Sequence, residues 1–458
     1  MTATLLAVSW LVLAVGPDAA PDAKVQSLAE PLVTSGEVSA LSLGVVVDGE
    51  SRTYRVPEGS SSDSKVDDRF FEIGSITKTF TGILLADMVV RGEVRLDDPV
   101  RFYLPDDVTV PAFEGREITL VDLATHTSGL PRLPSNFRPK DAENPYVDYS
   151  VKDLYDFLSN YKLLRRPGSK MSYSNLGVGL LGHALGRKAG KDYETLLRER
   201  VLEPLQLHET ALTLDDRQKE RLAPGHGPDG ERVSNWDFTD TSAAAGGIKS
   251  TISDMLKYLK ANMEPESTRL AEAIALSHKP AGDPEGTGGK VGLGWMINPT
   301  SGVIWHNGGT GGYRSFIGLL PEKNVGSVVL CNTALMDEPF VDRLGDSLLA
   351  TAMGREVKPI AVRVVKAVDP DVLERCVGRY RQNLLFVMTI TREGDRLYAQ
   401  LTGQSKFRIY PTSDTDFFYR VVKARITFEP GEDGRMAKLV LHQNGREIPA
   451  TRIEEKKD

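Results

Sequence analysis

Cysteine is scarce in this 458-residue chain: Cys331 and Cys376 are the only two, too few for a disulfide framework or a thiolate metal cage. The seven histidines are scattered, without an HExxH or comparable spacing, so nothing in the pattern calls for a metal or another cofactor. Lys and Arg form no clustered tract, and 56 basic against 63 acidic residues leave a formal charge of −7. That balance excludes a nucleic-acid partner, which requires a basic stripe to displace phosphate counterions. No apolar run reaches the length of about 20 residues needed to span a bilayer. A 40% apolar fraction with 42 glycines also excludes a disordered chain, a collagen-like fibre and a polytopic membrane protein. Neither GxxxxGK[ST] nor the G-x-S-x-G elbow is present. The nearest approach to the elbow, Ala40-Leu41-Ser42-Leu43-Gly44, lies in a predicted strand.

What is present divides into three parts. Thr4–Gly16 is an apolar run followed by Pro17 and Ala-rich residues, with no Lys or Arg before Lys24. It is too short to span a membrane and suits a secretory signal over residues 1–23, removed near Ala19–Ala23 or kept as an anchor. Residues 24–356 form the second part. A short helix is predicted over 26–37, and Leu41–Val47 and Arg52–Val56 read as strands joined by the turn Asp48-Gly49. Gly59–Asp68 reads as a loop. Gly74–Val90 has helical apolar period, with Ser75 at the expected cap. Further helices are predicted at Val151–Leu158, Leu176–Ala189, Tyr193–Val201 and Pro339–Met353, with strands at Gly302–His306, Ser315–Leu320 and Val325–Cys331. Strands at both ends with helices between predict an α/β layered domain: one antiparallel sheet flanked by helices, with a mostly helical subdomain. After a boundary near 357–370, residues 370–456 alternate short β-rich runs with turns, predicting a small all-β barrel or sandwich.

Three local patterns carry chemistry. In Gly74-Ser75-Ile76-Thr77-Lys78, a helix from Ser75 puts positions i and i+3 on one face, so the Lys78 amine can approach the Ser75 hydroxyl. Serine is a weak nucleophile without an adjacent base, and helix N-terminal N–H groups suit an oxyanion. Ser62 and Lys65 share the S-x-x-K spacing but sit in a polar loop. The second pattern, Tyr173-Ser174-Asn175, precedes a helix. A tyrosine near cations can serve as a base and Asn175 can bond a substrate amide, but a packed Tyr and an N-cap Asn would look the same. The third, His306-Asn307-Gly308-Gly309, ends a predicted strand whose glycines let a substrate lie close to the backbone, or simply mark a hairpin.

Together, in this order, the patterns resemble the serine β-lactamase and penicillin-recognising hydrolase superfamily, in the branch of class C β-lactamases, D-alanyl-D-alanine carboxypeptidases, D-aminopeptidases and related esterases. The resemblance rests on residues 71–100, on ITLVDLATHTSGLP (118–131), on Tyr173-Ser174-Asn175, on VLEPLQL (201–207) and on residues 306–332, within a span of roughly 27–355. The C-terminal part resembles the lipocalin-like barrel appended to some members. The resemblance implies Ser75 as the acylated nucleophile, Lys78 as its proton partner and Tyr173 as a base. It implies Asn175, His306, Gly308 and Gly309 as substrate-binding residues, with the Ser75 and Gly309 N–H groups forming an oxyanion hole. Lys78 beside Tyr173 should depress one or both pKa values. His126 reads as mainly structural.

One departure stands out. Class C enzymes carry Lys-Thr-Gly where this chain has His306-Asn307-Gly308, and Leu133 lies about where they have glutamine. A histidine is expected to hold a substrate carboxylate less firmly than lysine, with a grip fading above about pH 6.5. The expectation is therefore an exported serine hydrolase acting through an acyl-enzyme on D-amino-acid peptides or β-lactam-like compounds. A carboxylesterase for small acyl esters and a penicillin-binding sensor that acylates without turnover are the alternatives.

Overall fold

The computed structural model describes residues 21–56, 68–281, 290–335 and 340–453. Residues 1–20 of the predicted signal segment, residues 59–67 of the predicted loop Gly59–Asp68 and the Ser62/Lys65 pair lie outside them, whereas residues 21–23 open the helix Pro21–Thr34. At the centre of the first domain is a seven-stranded antiparallel sheet. Its order starts with the hairpin Leu41–Val47/Glu50–Val56, passes to Val325–Cys331, and continues through Arg314–Leu320, Ile304–Gly309, Met296–Ile297 and Lys290–Val291. The N-terminal hairpin thus joins the sheet beside the C-terminal strands, with Leu41 opposite Cys331 and Val47 opposite Val325. Leu41–Val47 reads as a nearly unbroken apolar run because it is buried on both faces. One face meets the cluster containing Ile252–Met263 and the helix Thr77–Val90, which follows Ser75. The other meets the helices Pro21–Thr34 and Phe340–Ala352.

The helical region between the strands supplies the far wall of the site. Its main helix, Asn175–Ala189, starts at an N-cap Ser174 and ends at a left-handed Gly190. A three-stranded ribbon, Phe71–Glu72, Lys249–Ser250 and Thr210–Ala211, holds the chain just ahead of Ser75.

Residues 378–453 form a closed eight-stranded antiparallel barrel, which settles the choice between barrel and sandwich. Six of its strands overlap the β-rich runs that the sequence shows between Phe386 and Gln443, although the run Phe417–Val422 is a strand only over Asp416–Phe418. Gly378–Arg381 and Arg446–Ile453, which pair with each other to close it, do not stand out there. The barrel interior is filled by residues such as Tyr380, Ile390, Phe417, Phe428 and Leu439. The Tyr410 hydroxyl, on the barrel, donates to the backbone carbonyl and to Oδ1 of Asp229, both at 3.2 Å. Asp229 belongs to a loop that continues to Trp236 in the cleft described next.

Candidate active site

Ser75 lies in a 3₁₀ turn, Gly74–Ile76, that leads into the helix Thr77–Val90, so it is not the side-chain cap that the sequence pattern suggests. Its hydroxyl is engaged elsewhere: Lys78 Nζ lies 3.0 Å from Ser75 Oγ. The same amine donates to the Ala245 carbonyl at 2.5 Å. The helix is buried from Thr77 to Met88, so Lys78 is fully buried with it. Desolvation, aided by the nearby Arg132 charge, holds the Lys78 pKa well below that of an ordinary lysine.

Two glycines set the distance between Ser75 and the sheet. Gly74 has φ +51°, and a Cβ there would meet Gly309 N at 2.6 Å. A Cβ on Gly308 would lie 2.0 Å from the Ile73 carbonyl and 2.4 Å from Ser315 Oγ. Gly308 is therefore buried and serves close approach, whereas Gly309 is exposed in the cleft beside Ser75.

Tyr173 is half-buried on the opposite wall. It faces Ser75 across a cavity that both line, and Lys78 Nζ lies 4.9 Å from its ring centroid. Burial pushes the phenol up to about 12, against the lowering influence of Ser75 and Arg132. The shift expected from the sequence thus falls on Lys78, while Tyr173 moves the other way. His126, in a left-handed conformation (φ +61°), is buried against Tyr173 with ring centroids 4.3 Å apart. Its Nδ1 accepts from Ser174 N at 3.2 Å, which fixes the backbone between Tyr173 and Asn175. Ser174, not Asn175, caps the helix, accepting from Gly177 N at 2.8 Å. This leaves the Asn175 side chain in the cleft, with Oδ1 buried and unpartnered in the protein.

His306 is 1% exposed, and its Nδ1 donates to the Asn307 carbonyl at 2.6 Å. Burial, reinforced by Lys78, lowers its pKa to about 3, so the ring is neutral across the physiological range. The expected carboxylate grip fading above about pH 6.5 is corrected: desolvation removes the charge long before that pH.

Several cleft residues escape sequence inspection. Phe137, Tyr146, Trp236 and Phe238 form an aromatic cavity of about 130 Å³ beside Ser75, with Tyr146 stacked on Phe238 at 4.8 Å. The buried Glu72 positions Trp236: its Oε1 accepts from Trp236 N and Asn235 Nδ2, each at 2.9 Å. An acid inside the apolar run Phe70–Ile73 is the one sequence signal for it. Arg132 lies over Tyr173, with Cζ 5.0 Å from the ring centroid.

The site thus holds a serine at a helix start, a buried amine beside its hydroxyl, a tyrosine across the cavity and glycine amides in the cleft. Such a set can form and resolve an ester on serine. Comparison with known proteins agrees with this chemistry. The Beta-lactamase family model matches residues 25–351, and a domain of unknown function (DUF3471) matches 362–452. The chain is 32% identical over 305 residues to the D-alanyl-D-alanine-carboxypeptidase/endopeptidase AmpH of Escherichia coli, covering 62% of this chain and 77% of that protein. It is 29% identical over 350 residues to a Beta-lactamase of Pseudomonas fluorescens, covering 67% and 92% respectively. A Beta-lactamase of Escherichia coli is 28% identical over 351 residues, covering 68% and 89%.

Proposed function

This chain belongs to the Beta-lactamase family, and from that premise we propose that it is a serine hydrolase cleaving amide bonds of D-amino-acid peptides or β-lactam-like compounds through an acyl-enzyme on Ser75. The observation that carries the reading is the 3.0 Å approach of a fully buried Lys78 amine to Ser75 Oγ. With its pKa lowered by burial, the amine serves as the base that takes the Ser75 proton as Oγ attacks the substrate carbonyl. The oxyanion so formed accepts from the Ser75 and Gly309 N–H groups. Tyr173, protonated at neutral pH, gives its proton to the leaving nitrogen and takes one back from Lys78. Water then attacks the ester, its proton passing through the same pair to Ser75 Oγ. Asn175 holds the substrate amide.

A second reading, a carboxylesterase for small acyl esters, is favoured by the neutral His306, because such esters need no carboxylate anchor. Export fits the apolar Thr4–Gly16 run. No helix among the described residues is long and apolar enough to cross a membrane.

The test is intact-mass spectrometry over time with a fluorescent penicillin and with an ester-type serine reagent, on the protein and on Ser75→Ala. An adduct on Ser75 that decays supports the hydrolase, and a lasting one makes the protein a sensor. An ester-reagent adduct without a penicillin adduct favours the esterase. Labelling that persists in Ser75→Ala refutes the assignment.

A further inference from the structure

Two arginines line the cavities around Ser75 among the described residues. Arg314 is consumed by the backbone: Nη1 donates to the Thr310 and Tyr313 carbonyls, each at 2.8 Å, and Nε to the Leu335 carbonyl at 3.2 Å. Arg132 is different. It is exposed and, among the described residues, has no carboxylate partner. It lines both the aromatic cavity and the larger one, of about 750 Å³, that runs along Asn307–Gly311. Its carbonyl accepts from Asn175 N at 3.1 Å and from Leu176 N at 3.2 Å, tying its backbone to the helix start that carries Asn175 and follows Tyr173.

The rest of the charge in this cleft is distributed unequally. His306 offers no cation, and at the far rim Asp342 is held through Asn307 Nδ2 by contacts of 2.9 and 3.0 Å. An anionic end of a substrate is repelled from the Asp342 rim and attracted to the unpaired planar fork at Arg132, whose geometry matches a carboxylate. We propose that Arg132 is the specificity-determining anchor for a free carboxylate on the substrate, replacing the cation that position 306 lacks. The inference rests on the serine-hydrolase reading above. It narrows the substrate class to compounds carrying a carboxylate near the scissile bond.

The test uses two matched thioesters of an N-acyl-D-alanine, one leaving as thioglycolate and the other as its uncharged amide. On the wild-type protein, kcat/KM is expected to favour the carboxylate form by about tenfold, a span suited to one partly solvated charge-assisted contact. In Arg132→Gln that ratio falls to about one, with the loss in KM, and Arg132→Lys keeps part of it. A wild-type ratio of one or less overturns the inference, as does an unmoved ratio in Arg132→Gln. If Ser75 is acylated and turns over while the ratio stays put, only the Arg132 anchor fails. Turnover of neither thioester overturns the hydrolase reading and the anchor with it.

Discussion

Replacing Gly308 by alanine tests whether the strand Ile304–Gly309 must touch the serine turn. The new Cβ would stand 2.0 Å from the Ile73 carbonyl oxygen and 2.4 Å from Ser315 Oγ, where ordinary contacts begin at 3.4 Å. Ser315 Oγ itself donates to the same carbonyl at 2.7 Å, so neither neighbour can swing aside without losing that bond. The strand and the turn must therefore separate by more than 1 Å. Overpacking of this kind costs about 1–3 kcal/mol of stability. A displacement near 1 Å at a catalytic group costs roughly 10²-fold in rate. Urea unfolding and initial rates on a chromogenic ester read the two effects separately. The expected result is a folded variant, destabilised within that range, whose kcat falls about a hundredfold while KM changes little. Activity within threefold of wild type would refute the claim that this contact sets the distance from Ser75 to the Gly309 amide.

The other predictions concern protons. Lys78→Met keeps the buried volume apolar but removes the base, so acylation should fall by about 10²–10⁴-fold. Stopped-flow labelling checks this, and a loss under tenfold would move the base to Tyr173. Because the Lys78 pKa is lowered, wild-type acylation should slow as pH falls through that lowered value and hold above it, an acidic limb that the Met variant lacks. His306 gives a stability test. Its folded pKa of about 3 lies below the ordinary 6.5, so its contribution is present above 6.5 and is lost as pH falls towards 3. Between pH 7 and 4.5 this amounts to about 3 kcal/mol. His306→Gln should flatten the pH dependence of urea unfolding by about that amount, and an unchanged slope would mean the ring is not buried neutral.

Much of the fold is legible in the sequence because it rests on local, periodic signals. Leu41–Val47 and Val325–Cys331 are strands with the bounds that their apolar runs mark, since both are central strands buried on two faces. Glu50–Val56 opens with an exposed, polar half, so its first two residues leave no apolar trace. The two closing strands of the barrel fail for a similar reason. Gly378–Arg381 has one fully buried residue, Tyr380, and Arg446–Ile453 has Ala450. Barrel closure is a long-range pairing that a residue-by-residue pattern does not encode.

The site divides along the same line. Ser75, Lys78 and Tyr173 are recognisable because spacing and order bring them forward, and Asn175 follows from its place at a helix start. The electrostatics do not follow, because the sequence gives residue types and not their burial. His306 looks like a titratable group at an open strand end, yet it is 1% exposed and neutral. Lys78 looks like an ordinary cation, yet the buried helix that carries it takes away the water that would favour the charged form and so lowers its pKa. Arg132, by contrast, follows a proline in what reads as a loop and carries no motif of its own. It is the one of the three that remains exposed, and its backbone is pinned by two amides at the start of the helix that follows Tyr173. A buried lysine is suited to moving protons and an exposed arginine to holding an anion. The same desolvation that makes Lys78 a base therefore disqualifies His306 as an anchor and leaves that task to a cation on the opposite wall.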